Sequence, residues 1–303
     1  MAKILSLVLV FILASCSEGD NRISQKLNQE ISDYIADCNA TKKKIDLKKK
    51  YGTELPGLKL TKLDLSSEDL TGVNISRAEF FGVNLSGVNL SRSTVKNASF
   101  SDCNLTGAQM EHVTADNSSF ESSIFDKTTI IKSSFKNSTF DDAIIKNTII
   151  SSANFSDSTL ERAKISDTKF EGNIFEGASF LKGYIENCEF TKDDLYGSSF
   201  GWTQIKTTVF SDVFLESSDF SESIIYKIKI SNSNLSNSMM RELSLDDAEF
   251  TDCDLTNTYA YKSIVNNSNF TNVKFNSANF SRSTFYSLLF AKSYLNWAIF
   301  SAF

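Results

Sequence analysis

Histidine occurs once in the 303 residues, as His112, and proline once, as Pro56. The first scarcity removes histidine-based catalysis and multi-histidine metal sites. The second, with only 12 glycines, argues against a loop-rich or disordered chain. Long apolar runs are scarce too: the stretch Ile4–Leu13 is too short to hold a bilayer as a stable span. Five cysteines do not amount to a disulfide framework. There is no Gly-rich phosphate loop and no nucleophile elbow. Acidic pairs such as Asp141–Asp142 and Asp246–Asp247 are adjacent in sequence, which offers no enclosed pocket to shift a pKa. An enzyme is not expected, nor a cofactor, nor a metal.

What the chain does have is a period of five. From Leu60 to Phe300 every fifth residue is large and apolar without insertion or loss of phase, Ala115 and Ala260 excepted. Twenty-one of the 25 phenylalanines fall in this column. Two residues earlier runs a column of small side chains, among them Ala78, Val83, Val88, Ser93, Ala98, Cys103 and Ala108. Five matches neither the 3.6 of a helix nor the 2.0 of a flat strand. A short straight segment and a corner, repeated, keep one large side chain per segment inward. Four corners close a 20-residue coil, so Phe80, Phe100 and Phe120 should lie above one another. Each coil then buries its apolar face against its neighbours. Twelve coils at about 4.8 Å give a rod roughly 58 Å long.

Exceptions in the small column are Leu58, Leu63, Ile228, Leu243 and Leu288, which are bulky, and Glu68, Asn173 and Asp193, which are polar. Burying a charge there is expensive, so Glu68 and Asp193 are expected to turn outward or to mark a distorted coil. Cys103, Cys188 and Cys253 belong to the small column and act as small hydrophobes. They fall on three different sides, several coils apart, and cannot meet. Cys38 lies outside the rod and is expected to be the exposed thiol.

Ala98-Ser99-Phe100-Ser101-Asp102, Ala153-Asn154-Phe155-Ser156-Asp157 and Ala278-Asn279-Phe280-Ser281-Arg282 share a small-x-large-x-x pattern that resembles the pentapeptide-repeat family. The resemblance covers about four fifths of the chain. It implies an all-β, right-handed quadrilateral β-helix. Some members of that family mimic DNA and protect gyrase from quinolones, and several dimerise through the C-terminal coil.

Before the repeats, Lys3, the apolar run and Leu13-Ala14-Ser15-Cys16 resemble a bacterial lipoprotein signal. This implies cleavage before Cys16 and acylation there with diacylglycerol and a fatty acid such as palmitate, an anchor far stronger than one chain. Ser17 is compatible with the outer membrane of a diderm. The expected organisation is therefore a signal peptide at 1–15, a tether and capping helix at 16–54, and the β-helix at 55–303. Ile23, Leu27, Ile31 and Ile35, with Tyr34 beside them, predict an amphipathic helix that covers the first coil. Lys42, Lys43, Lys44, Lys48, Lys49 and Lys50 read as a solvated loop or irregular coil, with contact to anionic lipid as the alternative.

From Pro56 onward 22 basic side chains face 30 acidic ones. The charge is interspersed over all four sides, whereas duplex DNA carries about one negative charge per 1.7 Å. Together with the export signal, this makes nucleic-acid mimicry the alternative and an interaction rod in the envelope the leading expectation. A protein partner of unknown identity is expected on the outward Leu181, Tyr184, Tyr196, Trp202, Phe214 and Tyr226. The last coil carries Tyr286, Leu288, Leu289, Tyr294, Trp297, Ile299 and Phe303 with no capping helix. Leu289, Tyr294, Trp297, Ile299 and Phe303 form the expected end-to-end homodimer contact.

Overall fold

A computed structural model describes residues 23–300. The expected signal peptide, Cys16 and Phe303 lie outside the described residues. The repeats wind into a parallel β-solenoid in which each three-residue strand pairs with the strand 20 residues on, as in Phe80↔Phe100 and Phe170↔Phe190. One side is a ten-stranded sheet running from Gln109–Glu111 to Leu289–Ala291, and another a nine-stranded sheet from Ile124–Asp126 to Thr284–Tyr286. A third side begins as three strands, Lys59–Thr61, Glu79–Phe81 and Ser99–Ser101, and continues as single bridges such as Ser119↔Thr139. The fourth is held by bridges alone, for example Ser134↔Asn154.

Two local features make the square. The central residue of each side buries its side chain while its neighbours stay outside. At the corner two residues later the backbone takes a left-handed conformation, at Asn97 (φ 56°), Asp102 (φ 56°) and Asn117 (φ 59°) among many. Asn, Asp and Gly tolerate that region best and crowd those positions, yet Trp202 (φ 60°) adopts it too. Coil-to-coil hydrogen bonds repay the strain by pairing the corner amides: the Asn97 N–H donates to Asp116 O (3.1 Å) and the Trp202 N–H to Ser221 O (3.0 Å).

The interior is a column of rings. Phe100, Phe120 and Phe140 stack at 5.1 and 5.0 Å, Phe170, Phe190 and Phe210 at 4.3 and 4.7 Å, and Phe180, Phe200 and Phe220 at 4.7 and 4.8 Å. Burial of each ring stabilises the fold by about 2–3 kcal/mol, with a further increment from ring-on-ring contact.

Two of the polar exceptions, Glu68 and Asp193, depart from expectation. Glu68, Asn173 and Asp193 neither turn out nor distort the coil; all three point inward and are buried. The slot is not uniformly apolar, because backbone N–H and C=O groups of neighbouring coils open onto it. Serine and threonine exploit this: the Ala98 N–H donates to Ser118 Oγ (3.2 Å), and that hydroxyl donates to Val95 O (2.7 Å). Asn173 and Asp193 extend the same ladder. The Ala153 N–H donates to Asn173 Oδ1 (2.9 Å), and Asn173 Nδ2 donates to Ile150 O (3.0 Å) and Asp193 Oδ1 (2.9 Å). Asp193 also accepts from the Asn173 and Thr191 backbone N–H groups, at 2.7 and 2.9 Å. Burial nonetheless outweighs these donors and pushes the Asp193 carboxyl up to about 7.

At the N-terminal end, α1 (Gln25–Thr41) is capped by Ser24, whose hydroxyl accepts from the Leu27 N–H (3.2 Å). It buries Ile31, Ile35 and Cys38 against the first coil. Cys38 is therefore not the exposed thiol expected; it continues the buried stripe one turn beyond Ile35. Asn28 fixes the helix to the coil by accepting from the Lys59 N–H (2.8 Å), and Asn39 does so by donating to Asp64 O (3.0 Å). The short α2 (Leu47–Tyr51) holds part of the basic run. The Leu47 N–H donates to Glu68 Oε1 (2.7 Å), Lys48 pairs with Asp69 (2.8 Å), and the Lys50 ammonium lies 3.5 Å from the centre of the Tyr34 ring. Lys42, Lys43, Lys44 and Lys49 stay exposed.

Candidate interaction surfaces

Apolar side chains fill the interior, and the exposed ones lie on the outer faces and on the C-terminal coil. Among the described residues no group of His, Cys, Asp and Glu is arranged to hold a metal ion. No described helix is long and apolar enough to cross a membrane. His112 is exposed beside Glu111 (3.6 Å). Cys103 and Cys253 are buried with their thiols pushed up to about 11, and Cys188 to about 12. Burial leaves them unreactive at neutral pH.

The six expected partner-surface residues fall on three sides of the rod. Tyr184 and Tyr226 share the nine-stranded sheet with Gln204 and Lys206 between them; Lys206 lies over the Tyr184 ring (5.1 Å) and Lys227 over Tyr226 (4.9 Å). Both tyrosines are half-buried. Leu181 and Trp202 share a second side. Gly201 leaves the space that Leu181 fills, since a Cβ there would meet Leu181 Cδ1 at 3.1 Å, while Trp202 projects 56% exposed. Tyr196 and Phe214 stand on the bridged fourth side, 47% and 59% exposed, with Phe214 in register with Asp194 and Asn234. The structure thus brings these residues together in pairs and not into one patch.

Sequence reasoning missed other exposed apolar side chains: Ile124, Ile144, Ile149, Ile224 and Ile264. Each sits one residue before a buried column position, so its outward direction was available from the period. Ile124 and Ile144 are register partners on one sheet.

The C-terminal coil carries a dense run of exposed apolar side chains. Tyr286, Leu289, Tyr294, Trp297 and Ile299 all project, Trp297 at 88%. The inward column opens as well: Phe290, Leu295 and Phe300 are 38–43% exposed, against 7% for Phe280 one coil below. No described residue covers this end.

Repeat profiles described as pentapeptide repeats match in eight copies, over residues 84–121, 103–142, 153–191, 227–257 and 248–287, together more than half of the chain. No curated protein matches the sequence. Among solved structures, the chain is similar to HetL, a pentapeptide repeat protein involved in heterocyst differentiation regulation from the cyanobacterium Nostoc sp. strain PCC 7120. The two are 15% identical over 70% of this chain and 88% of HetL, with a TM-score of 0.36. Trypsin-treated QnrB1, a plasmid-mediated fluoroquinolone resistance protein, is 20% identical over 66% of this chain and 80% of its own, at a TM-score of 0.23. The A-module of the Azotobacter vinelandii mannuronan C-5 epimerase AlgE6 is 8% identical over 90% and 95%, at 0.35. The unbroken five-residue register and the repeat profiles it matches agree, and the chain belongs to the pentapeptide-repeat family.

Proposed function

We propose that this protein is a non-enzymatic interaction rod of a bacterial envelope, held to the membrane by lipid on Cys16 and paired end to end with a second copy. The observation that carries the reading is the contrast between a solid phenylalanine interior, which leaves no room for a substrate, and an apolar C-terminal coil that no described residue covers. A second copy seated on Leu289, Tyr294, Trp297 and Ile299 would cover that end with a self-complementary surface. Light scattering on the purified protein tests this: a dimer is expected that becomes monomeric on Trp297→Glu, and a monomer at tens of micromolar would refute it. Labelling cells with a fatty-acid analogue tests the anchor, with label expected on the native protein and lost in Cys16→Ala. For the aromatic surface, Trp202→Ala should leave stability within about 0.5 kcal/mol yet weaken recovery of a partner by pull-down; unchanged recovery refutes it.

A second reading, a DNA-mimicking gyrase protector, is favoured by the acidic excess of the rod. Glu121, Asp141 and Glu161 follow one another on one side, 20 residues apart. Against it, Arg162 sits among them, 2.8 Å from Asp142 and 3.8 Å from Asp141, which breaks the stripe. Protection of gyrase supercoiling from a quinolone would establish this reading in place of the first.

A further inference from the structure

One corner of the rod forms a groove that has only Phe214 in common with the aromatic surface and lies apart from the C-terminal coil. It runs along the axis over four successive coils as an open depression of about 560 Å³. Asp212, Asn232, Asp252 and Asn272 form one wall, each a corner residue in the left-handed conformation. Phe214, Asn234, Asp254 and Lys274 form the other, in bridge register with one another. Val213, Ser233 and Cys253 make the floor.

The two walls differ in how far their polar groups are already used. Asn234 accepts from the Ser236 N–H (3.0 Å) and Asp254 from the Thr256 N–H (2.9 Å), while Lys274 pairs with Asp254 (3.5 Å). Across the groove, Asp252 accepts one bond from Asn272 Nδ2 (2.5 Å) and Asp212 one from Ser211 (3.0 Å). Those contacts leave a carboxylate oxygen on each and the Asn272 carbonyl oxygen available. Among the described residues no hydrogen bond engages the side-chain carboxamide of Asn232.

We infer that this groove binds a neutral glycan chain. Four features select that class. The walls offer carboxylate and carboxamide groups, which pair with adjacent hydroxyls. Phe214, 59% exposed, places an aromatic ring at one end, and an electron-rich ring face suits the C–H face of a pyranose. The groups repeat at the coil step of about 4.8 Å, near the length of one sugar unit and well short of the ~6.6 Å two-residue repeat of an extended peptide. A peptide could not add as a strand either, because the wall backbone is already paired. The Asp212, Asn232 and Asp252 N–H groups donate to Ser231, Thr251 and Thr271 carbonyls, and those of Phe214, Asn234 and Asp254 to Asp193, Val213 and Ser233 carbonyls. Three carboxylates against one lysine turn anionic polymers away. The inference does not rest on the lipid anchor or on dimer formation, and shares only Phe214 with the proposed aromatic surface.

The test is calorimetric titration of the purified full-length protein with cellohexaose, chitohexaose and maltohexaose, and with hexagalacturonate as an anionic probe. At least one neutral hexasaccharide should bind with a dissociation constant below about 1 mM, and Phe214→Ala and Asn232→Ala should each weaken it by about tenfold. Neither side chain reaches the core, so both variants should stay folded: Phe214→Ala should keep the native thermal midpoint, and Asn232→Ala, at a left-handed corner (φ 52°), should lower it by only a few degrees. Lack of heat with all three neutral sugars overturns the inference. So does binding indifferent to both substitutions, tighter binding of hexagalacturonate, or displacement of the sugar by calcium alone, which would make the groove a cation site.

Discussion

Asp193 is a carboxyl sealed inside the rod, and its titration should be readable in the stability of the whole protein. Burial raises it from an ordinary 3.8 to about 7, against the pull of N–H donors from Asn173 and Thr191. In the folded chain it therefore keeps its proton up to about pH 7, and in the unfolded chain only to about pH 4. Between those values the folded state binds more protons, so stability falls as pH rises; outside them the curve is flat. A change of about three units at ~1.4 kcal/mol each makes the loss ~4 kcal/mol. The control is Asp193→Ser, since a hydroxyl in this slot can still accept from the backbone below, as Ser133 Oγ does from the Val113 N–H (3.0 Å). Isothermal urea unfolding of both proteins from pH 4 to 8 gives a difference curve in which other carboxyls cancel. That curve should drop by ~4 kcal/mol between pH 4 and 7 and then level off. A flat curve would refute the reasoning. A rising one would mean that the hydrogen bonds to the carboxylate outweigh its loss of water.

Glu68→Ala removes the acceptor of the buried Leu47 N–H. It should cost about 1–3 kcal/mol, seen as faster hydrogen exchange in residues 45–51 while the coils beyond Phe100 keep their protection; unchanged exchange there would count against the contact. Phe120→Ala opens a cavity beside Phe100, Phe125, Phe135 and Phe140, all within 5.7 Å of its ring centre. A loss of about 3–5 kcal/mol is expected in urea unfolding, and a loss under ~1 kcal/mol would mean that the coil collapses to fill the space. The thiols of Cys38, Cys103, Cys188 and Cys253 are buried, so all four should resist Ellman's reagent at pH 8 and react together on denaturation. Reaction of Cys38 alone in the native protein would show α1 lifting from the first coil.

The period of five carried the fold because it is a statement about direction: it fixes which side chain points to the axis, and nothing in a filled rod competes with that. Where the reading failed, it had treated an inward direction as an apolar environment. Asn173 and Asp193 are 20 residues apart in one column, as are Ser118 and Ser138 or Ser263 and Ser283. That spacing places one side chain's oxygen against the amide of the coil below, 20 residues earlier, so a polar residue there completes a ladder and need not escape it. The pairing of Asn173 with Asp193 was thus visible in the numbering, while the cost of the charge, which decides whether the carboxyl ionises, was not. Cys38 failed for the opposite reason: its place in the helical stripe after Ile35 was visible, but what α1 would lie upon was not. The surface sets a further limit. A repeat places Phe214 and Asn232 outward with equal certainty as Ser231 and Thr251, and the groove exists only because neighbouring corners and sides meet across coils. Recognition on such a rod depends on which residues share a corner over consecutive turns. That grouping follows from reading the sequence at intervals of 20, with the corner and the next side taken together, and composition does not reveal it.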